Sequence, residues 1–315
     1  MQKIIFIGTT EFGIPTLEKL SAKGGSASGG KPPYELVLII TQPDKPVGRK
    51  QIITASPIKI WAQKNSVPVI QPEKILDSIS QILDSGPDLI LVAAYGQIIP
   101  KAILDIPKFG SVNIHGSLLP KYRGASPIQA AILNGDNETG ITLIKMDEKM
   151  DHGPIVAKQV VRLAGLETYP ELYKKLADIS ADLIVETLPR LFEGKLKAAE
   201  QVHPHATYTK LLNREDARID WSQSAKLIGQ KIRALNPEPG TWTTLDGKTV
   251  KIIEAKILSE AKIELPGKIY IRSGELAVKC LDGSVIIEKL QPEGKNMMSG
   301  KDFLNGLKIG NKLFI

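Results

Sequence analysis

The first half of the chain is built from short apolar runs separated by amphipathic stretches. Residues 3–7 (KIIFI), 35–40 and 88–94 are continuous apolar runs of strand length, the pattern of strands covered on both faces, and 111–115 reads as the next strand. Between them the spacing predicts helices near 14–22, 56–64 and 73–83. Residues 141–146 and 155–162 predict a later strand pair. Residues 166–192 predict a long helix interrupted near Pro170 and Pro189. Strands alternating with helices argue an α/β fold with an open, mostly parallel sheet. In such sheets the ligand site lies beyond the carboxyl ends of the strands. Residues 193–210 read as a linker, 222–234 as a helix, and 241–244, 249–257, 267–271, 275–280 and 284–290 as short strands between Gly and Asp turns. That second pattern predicts a small β-barrel. The expected domains are therefore 1–192 and 211–315, joined by 193–210.

Composition changes this picture little. A length of 315 residues suits two domains, and 42% hydrophobic residues suit packed cores. Cys280 is the only cysteine, so no internal disulfide can form and a reducing compartment fits. The start, MQKIIFIGTTEFG, reads as a first strand rather than a signal peptide, and no apolar run approaches the ~20 residues of a membrane helix. The expected location is the cytoplasm. The Gly/Ser-rich stretch 21–30 reads as a surface connection. The net charge of +7 is uneven, because residues 208–315 hold 18 Lys and Arg against 13 Asp and Glu. Charge alone leaves both an ordinary solvated surface and a polyanion-binding patch open.

The candidate chemistry starts with Asn113 and His115. Two residues apart on a strand, they share one face and converge on one small volume at its end. Asp151, in Met150-Asp151-His152-Gly153, could orient the imidazole. A neutral donor, a proton-transfer group and a carboxylate suit acyl transfer, in which a carbonyl oxygen gains charge and an amine loses a proton. Each residue also has a plainer reading: a lone strand-end His is more often structural, and Asp before a Gly is common in turns. The turn from Gly8 to Gly13 is not G-x-G-x-x-G and lacks the Gly-Lys-Ser/Thr of a phosphate loop. His203 and His205 have no acidic cluster beside them and Cys280 is the only thiol, so no metal site is expected.

The whole run at 113–124, NIHGSLLPKYRG, resembles the N-x-H-x-S-L-L-P-x-[YW]-x-G signature of the folate-dependent formyltransferases. Gly140-Ile141-Thr142 and Met150–Gly153 are similar to the segment that brings that family's catalytic aspartate, and Tyr95-Gly96-Gln97-Ile98-Ile99-Pro100 to the hinge of its pterin pocket. The likeness extends to GTTEFGIPTLEKL, TQPDKPVGRK, DARIDW, IRALNPEPGTWT and LQPEGKNMMSGKDFLNG, nearly the whole chain. It implies a Rossmann-like first domain and an oligonucleotide-binding-type C-terminal barrel that helps hold tRNA. It implies catalytic roles for Asn113, His115 and Asp151. Folate would be bound by Tyr95, Gly96, Gln97, Ile98, Ile99, Ser117, Leu118, Leu119 and Pro120. Lys45, Arg49 and Lys50, in the loop after the second strand, would meet tRNA. The implied reaction moves the formyl group of 10-formyltetrahydrofolate to the α-amine of methionyl initiator tRNA, without a metal or membrane partner, in a monomer. Two rivals stay open at this point: the same chemistry on a small amine such as an amino-sugar nucleotide, and a non-catalytic RNA-binding protein.

Overall fold

The computed structural model describes residues 1–21, 34–48, 50–258, 265–306 and 312–315. Most of the expected surface connection at 21–30, and Arg49, lie outside the described residues. In chain order the strands up to the middle of the chain are β1 (Gln2–Gly8), β2 (Tyr34–Ile40), β3 (Lys45–Val47), β4 (Ile52–Thr54), β5 (Val69–Ile70), β6 (Leu89–Ala93), β7 (Ser111–His115), β8 (Arg123–Gly124), β9 (Glu138–Lys145) and β10 (Ile155–Arg162). The helices among them are α1 (Ile14–Ser21), α2 (Pro57–Lys64), α3 (Ile79–Ser85), α4 (Lys101–Leu104), α5 (Pro127–Leu133) and α6 (Tyr169–Phe192). There follow β11 (Tyr208–Thr209), α7 (Ala225–Leu235), β12 (Trp242–Leu245), β13 (Lys248–Leu258), β14 (Ile269–Arg272), β15 (Glu275–Lys279), β16 (Ser284–Pro292), β17 (Met298–Ser299) and α8 (Gly300–Asn305).

The chain divides into two compact units. The first comprises Met1–Pro127, Thr139–Val161 and Tyr173–Thr209, and the second Ile128–Glu138, Arg162–Leu172 and Lys210–Ile315. The stretch 193–209, within the expected linker, packs with the first unit.

The first unit is organised by a seven-stranded sheet in the order β10-β9-β7-β6-β1-β2-β5. Pairings from β7 through β6, β1 and β2 to β5 are parallel, while β9 runs antiparallel to β7. The fold is thus the open, mostly parallel sheet that the pattern predicts, and it is Rossmann-like as the resemblance implies. All five residues of β6 and the last five of β1 are buried, because helices on both faces leave these strands no solvent side. Ile5, Ile7, Ile90 and Val92 pack with Ile40, Ile82 and Ile103 in one core cluster. α2 begins where Ser56 Oγ accepts the Lys59 N–H at 3.1 Å with Pro57 next in line, a cap worth about 1 kcal/mol.

Several local expectations shift. The helix expected over 73–83 splits into a 3-10 turn at Ile75–Ser78 followed by α3. The expected loop after β2 contains the β3–β4 hairpin. α6 runs unbroken from Tyr169 through Pro189. Pro170 falls in its first turn, where a missing N–H costs nothing.

In the second unit a curled antiparallel sheet runs β12-β13-β16-β15-β14, with β17 on β16. Its edges are stitched by the last residues. Leu313 bridges Lys268 beside β14, and Ile315 exchanges two 2.9 Å main-chain hydrogen bonds with Thr244 of β12. The core gathers Trp221, Ile228 and Ile232 against Val250, Ile252, Val278 and Ile287. Among the described residues no helix is long and apolar enough to cross a membrane.

Candidate active site at the carboxyl end of the central strand

β7 ends on His115, and strand alternation brings Asn113 and His115 to the same side. The antiparallel neighbour β9 sets Thr142 opposite His115. The Thr142 hydroxyl then folds the next loop back onto the strand. It donates to the Ser117 carbonyl at 2.6 Å and accepts the Leu119 N–H at 3.1 Å. Ser117 Oγ donates to the Lys121 carbonyl at 2.5 Å, and Lys158 Nζ to the Leu119 carbonyl. Burial pulls the Lys158 ammonium below its usual pKa. Three side chains therefore tie this loop, beside the Lys121 N–H on the Leu118 carbonyl at 3.1 Å.

Asp151 reaches the same point from the segment between β9 and β10. Its Oδ1 lies 3.3 Å from Asn113 Nδ2 and 3.4 Å from His115 Nδ1, and its Oδ2 accepts the Gly124 N–H at 2.7 Å. One carboxylate oxygen is thus firmly held and the other faces the amide and the imidazole. His115 is 5% exposed. Its Nε2 is 2.8 Å from the Tyr122 carbonyl, and a carbonyl only accepts, so that nitrogen carries a proton. Nδ1 is then the ring atom left to face a reactant, beside Asp151. Contacts of 3.3–3.4 Å are long, as is common in sites that tighten only around a reacting group.

Two backbone features hold this geometry. Asp151 sits at φ +49°, which costs a residue with a Cβ about 1–2 kcal/mol. Gly124, at φ +108°, has no room for a side chain, since a Cβ there would stand 2.3 Å from the Thr209 carbonyl oxygen. That close approach arises because β8 pairs in parallel with β11.

Residues expected around the pterin hinge separate by direction. Tyr95 and Ile99 turn into the core beside Ile5, Ile90 and Val92. Burial pushes the Tyr95 phenol up to about 12, and among the described residues its hydroxyl has no hydrogen-bond partner. Gly96 and Ile98 face outward, Ile98 at 81% exposure, and Gln97 is half-buried. Ser117 and Leu119 are buried, whereas Leu118 and Pro120 stay partly exposed. Lys45 and Lys50 are exposed at the hairpin, with Lys45 Nζ donating to Gln42 Oε1. Asp44 anchors the hairpin base through Lys59 Nζ at 2.6 Å and Gln71 Nε2 at 2.7 Å, and these two hydrogen bonds hold its carboxyl below the usual carboxylate range.

Sequence reasoning missed Gln201, which is 4% exposed in the stretch taken as a linker. Its Nε2 donates to the carbonyls of Asp151 at 2.9 Å and Gly153 at 2.8 Å. Nothing periodic marks it. The local signal that existed was Arg123 inside the signature, a charged residue with no assigned role, which is 2% exposed and donates to Gln201 Oε1 at 2.7 Å. A cavity of about 440 Å³ lined by Lys101, Lys145, Asp147 and His152 includes none of Asn113, His115 and Asp151.

Comparison with known proteins follows the same lines. A formyl transferase family model matches residues 2–188, and a model of the formyl transferase C-terminal domain matches 211–308. The methionyl-tRNA formyltransferase of Enterococcus faecalis is 40% identical over 311 residues, covering 98% of this chain and 96% of the relative. That of Geotalea daltonii is 42% identical over 311 residues, with the same two coverages. Among solved structures, the N-formyltransferase from Helicobacter canadensis in complex with folinic acid and dTDP-3-aminofucose has a TM-score of 0.66 at 20% identity, covering 93% of this chain and all of that one. HypX from Aquifex aeolicus in complex with tetrahydrofolic acid has a TM-score of 0.63 at 18% identity over 96% of this chain, which spans about half (46%) of the HypX chain. At those identities the likeness is one of fold. With family models over both halves and relatives at this identity along nearly its whole length, the chain belongs to the formyl transferase family.

Proposed function

We propose that this protein transfers the formyl group of 10-formyltetrahydrofolate to the α-amino group of methionyl initiator tRNA, giving the formylated tRNA used to start translation. The observation that carries the chemistry is the convergence of Asn113 Nδ2 and His115 Nδ1 on Asp151 Oδ1 at the end of β7. The acceptor is supported by full-length relatives that bear the name methionyl-tRNA formyltransferase.

Bound folate supplies a formyl group already activated by attachment to an aryl nitrogen. Asn113, through an amide N–H, and His115, through Nδ1–H when protonated, would donate to the formyl oxygen as it gains negative charge. The amine attacks the formyl carbon, and Asp151 Oδ1 would accept the proton it releases and help pass it to the folate nitrogen as the bond from that nitrogen to the formyl carbon breaks. With Oδ2 fixed by Gly124, Asp151 would also hold the His115 ring in orientation. The outward turn of Gly96, Gln97 and Ile98 would hold the pterin with Leu118 and Pro120, while Tyr95, Ile99, Ser117 and Leu119 would shape the pocket from beneath. No metal is needed for this step. Lys45, Arg49 and Lys50 would meet tRNA phosphates, as would the basic excess after residue 208. We assign donor binding and chemistry to residues 1–192, the connection to 193–210 and part of tRNA binding to 211–315. The protein would act as a cytoplasmic monomer.

The test offers 10-formyltetrahydrofolate together with charged initiator tRNA, free methionine or an amino-sugar nucleotide. Formylation confined to the charged tRNA is expected. Preference for the sugar nucleotide would transfer the same chemistry to a small-amine acceptor.

A further inference from the structure

We infer that Gln201, held by Arg123, is a positioning residue for the transfer step: it fixes the main chain of Asp151 so that the carboxylate faces Asn113 and His115. The inference rests on the catalytic reading of Asp151 and goes beyond it by naming what maintains that residue's geometry.

Asp151 keeps a left-handed backbone that its Cβ disfavours, so something outside the residue must hold it. The only rigid partner its carbonyl meets among the described hydrogen bonds is Gln201 Nε2, and the same amide holds the carbonyl of Gly153 two residues on. One buried amide thus spans both ends of the Asp151-His152-Gly153 turn. Gly153 closes the turn tightly, since a Cβ there would stand 1.9 Å from the Lys145 carbonyl oxygen. The turn cannot relax toward that side.

Gln201 is itself fixed. Its Oε1 accepts from Arg123 Nη2 at 2.7 Å and Nε at 3.3 Å, which settles the orientation of the amide, because the guanidinium only donates. Arg123 Nη2 also reaches His203 Nδ1 at 2.8 Å, and its Nη1 the Tyr208 hydroxyl at 3.4 Å. The His203 ring stacks on His152 at 4.1 Å between centroids and 6° between planes, and His152 Nδ1 pairs with Asp147 Oδ2 at 2.7 Å. Main chain at Arg123 is held by its own N–H on the Thr207 carbonyl. The next residue, Gly124, donates its N–H to Asp151 Oδ2. Residues 123 and 124 therefore grip Asp151 twice, at the carboxylate directly and at the main chain through Gln201.

A buried guanidinium is costly to desolvate, and the acceptors gathered here are an amide, an imidazole nitrogen and a phenol rather than a carboxylate. For packing alone an apolar side chain would be the cheaper choice. Two parallel grips on one catalytic carboxylate give the arrangement a use, since misplacing a reacting group by about 1 Å can cost about 10²-fold in rate.

The experiment compares Gln201→Glu, Asp151→Asn and the double variant, with steady-state kinetics in both substrates. Glu keeps the volume and still accepts from Arg123, but as a carboxylate it cannot donate to the two carbonyls. Gln201→Met, which donates nothing and buries no charge, is the second variant. Both single changes at 201 are expected to lower kcat about 10- to 100-fold, with each KM within about 3-fold of wild type. In the Asp151→Asn background, Gln201→Glu should cost less than about 2-fold more, because its effect passes through the missing carboxylate. Wild-type kcat in the 201 variants while Asp151→Asn is inactive would overturn the positioning role and leave the catalytic reading standing. Full activity of Asp151→Asn would overturn both. Losses that multiply in the double variant would place the action of Gln201 elsewhere. Failure of Gln201→Met to fold would show a structural residue and also overturn the inference.

Discussion

Two loops leave the carboxyl ends of strands in the same sheet, and they are built in opposite ways. The loop after β7 is mostly buried and tied: Thr142 holds two of its main-chain groups, Lys158 a third, and His115 binds the Tyr122 carbonyl. Among the described residues the loop after β2 is anchored at its base, where Gln42 donates to the Tyr95 carbonyl at 2.6 Å and Asp44 binds Lys59 and Gln71. Beyond the base Lys45, Lys50, Gln51, Ile52 and Ile53 face solvent, Ile52 and Ile53 at 60% and 64% exposure. The difference follows from the tasks proposed for them. Proton transfer and charge stabilisation need donors held in place before the reactants arrive. A polyanion is met by cations that keep their hydration until contact, and there displaced counterions contribute much of the binding.

The largest expected effect tests the tied loop at its chemical end. His115→Ala and Asp151→Asn should each lower formyl transfer by about 10²–10⁴-fold, read as kcat with saturating donor and tRNA. His115→Ala should also lower stability by about 1–3 kcal/mol in chemical denaturation, since it removes the buried hydrogen bond to the Tyr122 carbonyl. Near-normal turnover in either variant would remove that residue from the reaction.

A middle-sized effect tests whether the tie itself matters. Thr142→Val keeps the shape but strips the Ser117 carbonyl and the Leu119 N–H of their buried partner. A loss of about 2 kcal/mol in stability is expected, together with about a tenfold fall in kcat. Unchanged stability would mean that the loop is held by packing instead.

The exposed loop should respond differently. Arg49→Ala and Lys50→Ala should leave folding and folate KM unchanged and raise the KM for tRNA several-fold. Each should also reduce the slope of log affinity against log salt by about one where the cation meets a phosphate. A slope identical to wild type in both variants would assign the loop no phosphate contact.

The smallest effect lies at the hinge between the two loops. Among the described residues the buried Tyr95 hydroxyl has no hydrogen-bond partner, so Tyr95→Phe should raise stability by about 1 kcal/mol in thermal unfolding while kcat holds. A matching rise in folate KM would identify the pterin as the partner of that hydroxyl.

The hydrophobic pattern by itself determined the mostly parallel sheet. Residues 4–7 and Leu89–Ala93, within the apolar runs at 3–7 and 88–94, have no solvent face, as a strand covered on both sides requires. It also placed Asn113 and His115 on one face, because strand alternation is a local property. It did not mark the β3–β4 hairpin, where Ile52, Ile53 and Thr54 all meet solvent and so carry no alternation. Nor could it foresee that Pro189 would leave α6 unbroken, since burial of Leu176, Ile184 and Leu188 along that helix outweighs one lost hydrogen bond.

Other features were decided only by tertiary structure. Gln201 lies 50 residues from Asp151 in a segment without periodicity, and its role exists only because β11 docks on β8 and carries that segment past the turn. The closing of the curled sheet is of the same kind, since Ile315 pairs with Thr244 across 71 positions. Local sequence encodes which face a residue presents, through backbone geometry that repeats every few residues. Which distant polar group meets it depends on desolvation, because a buried carbonyl must find a donor wherever the fold brings one.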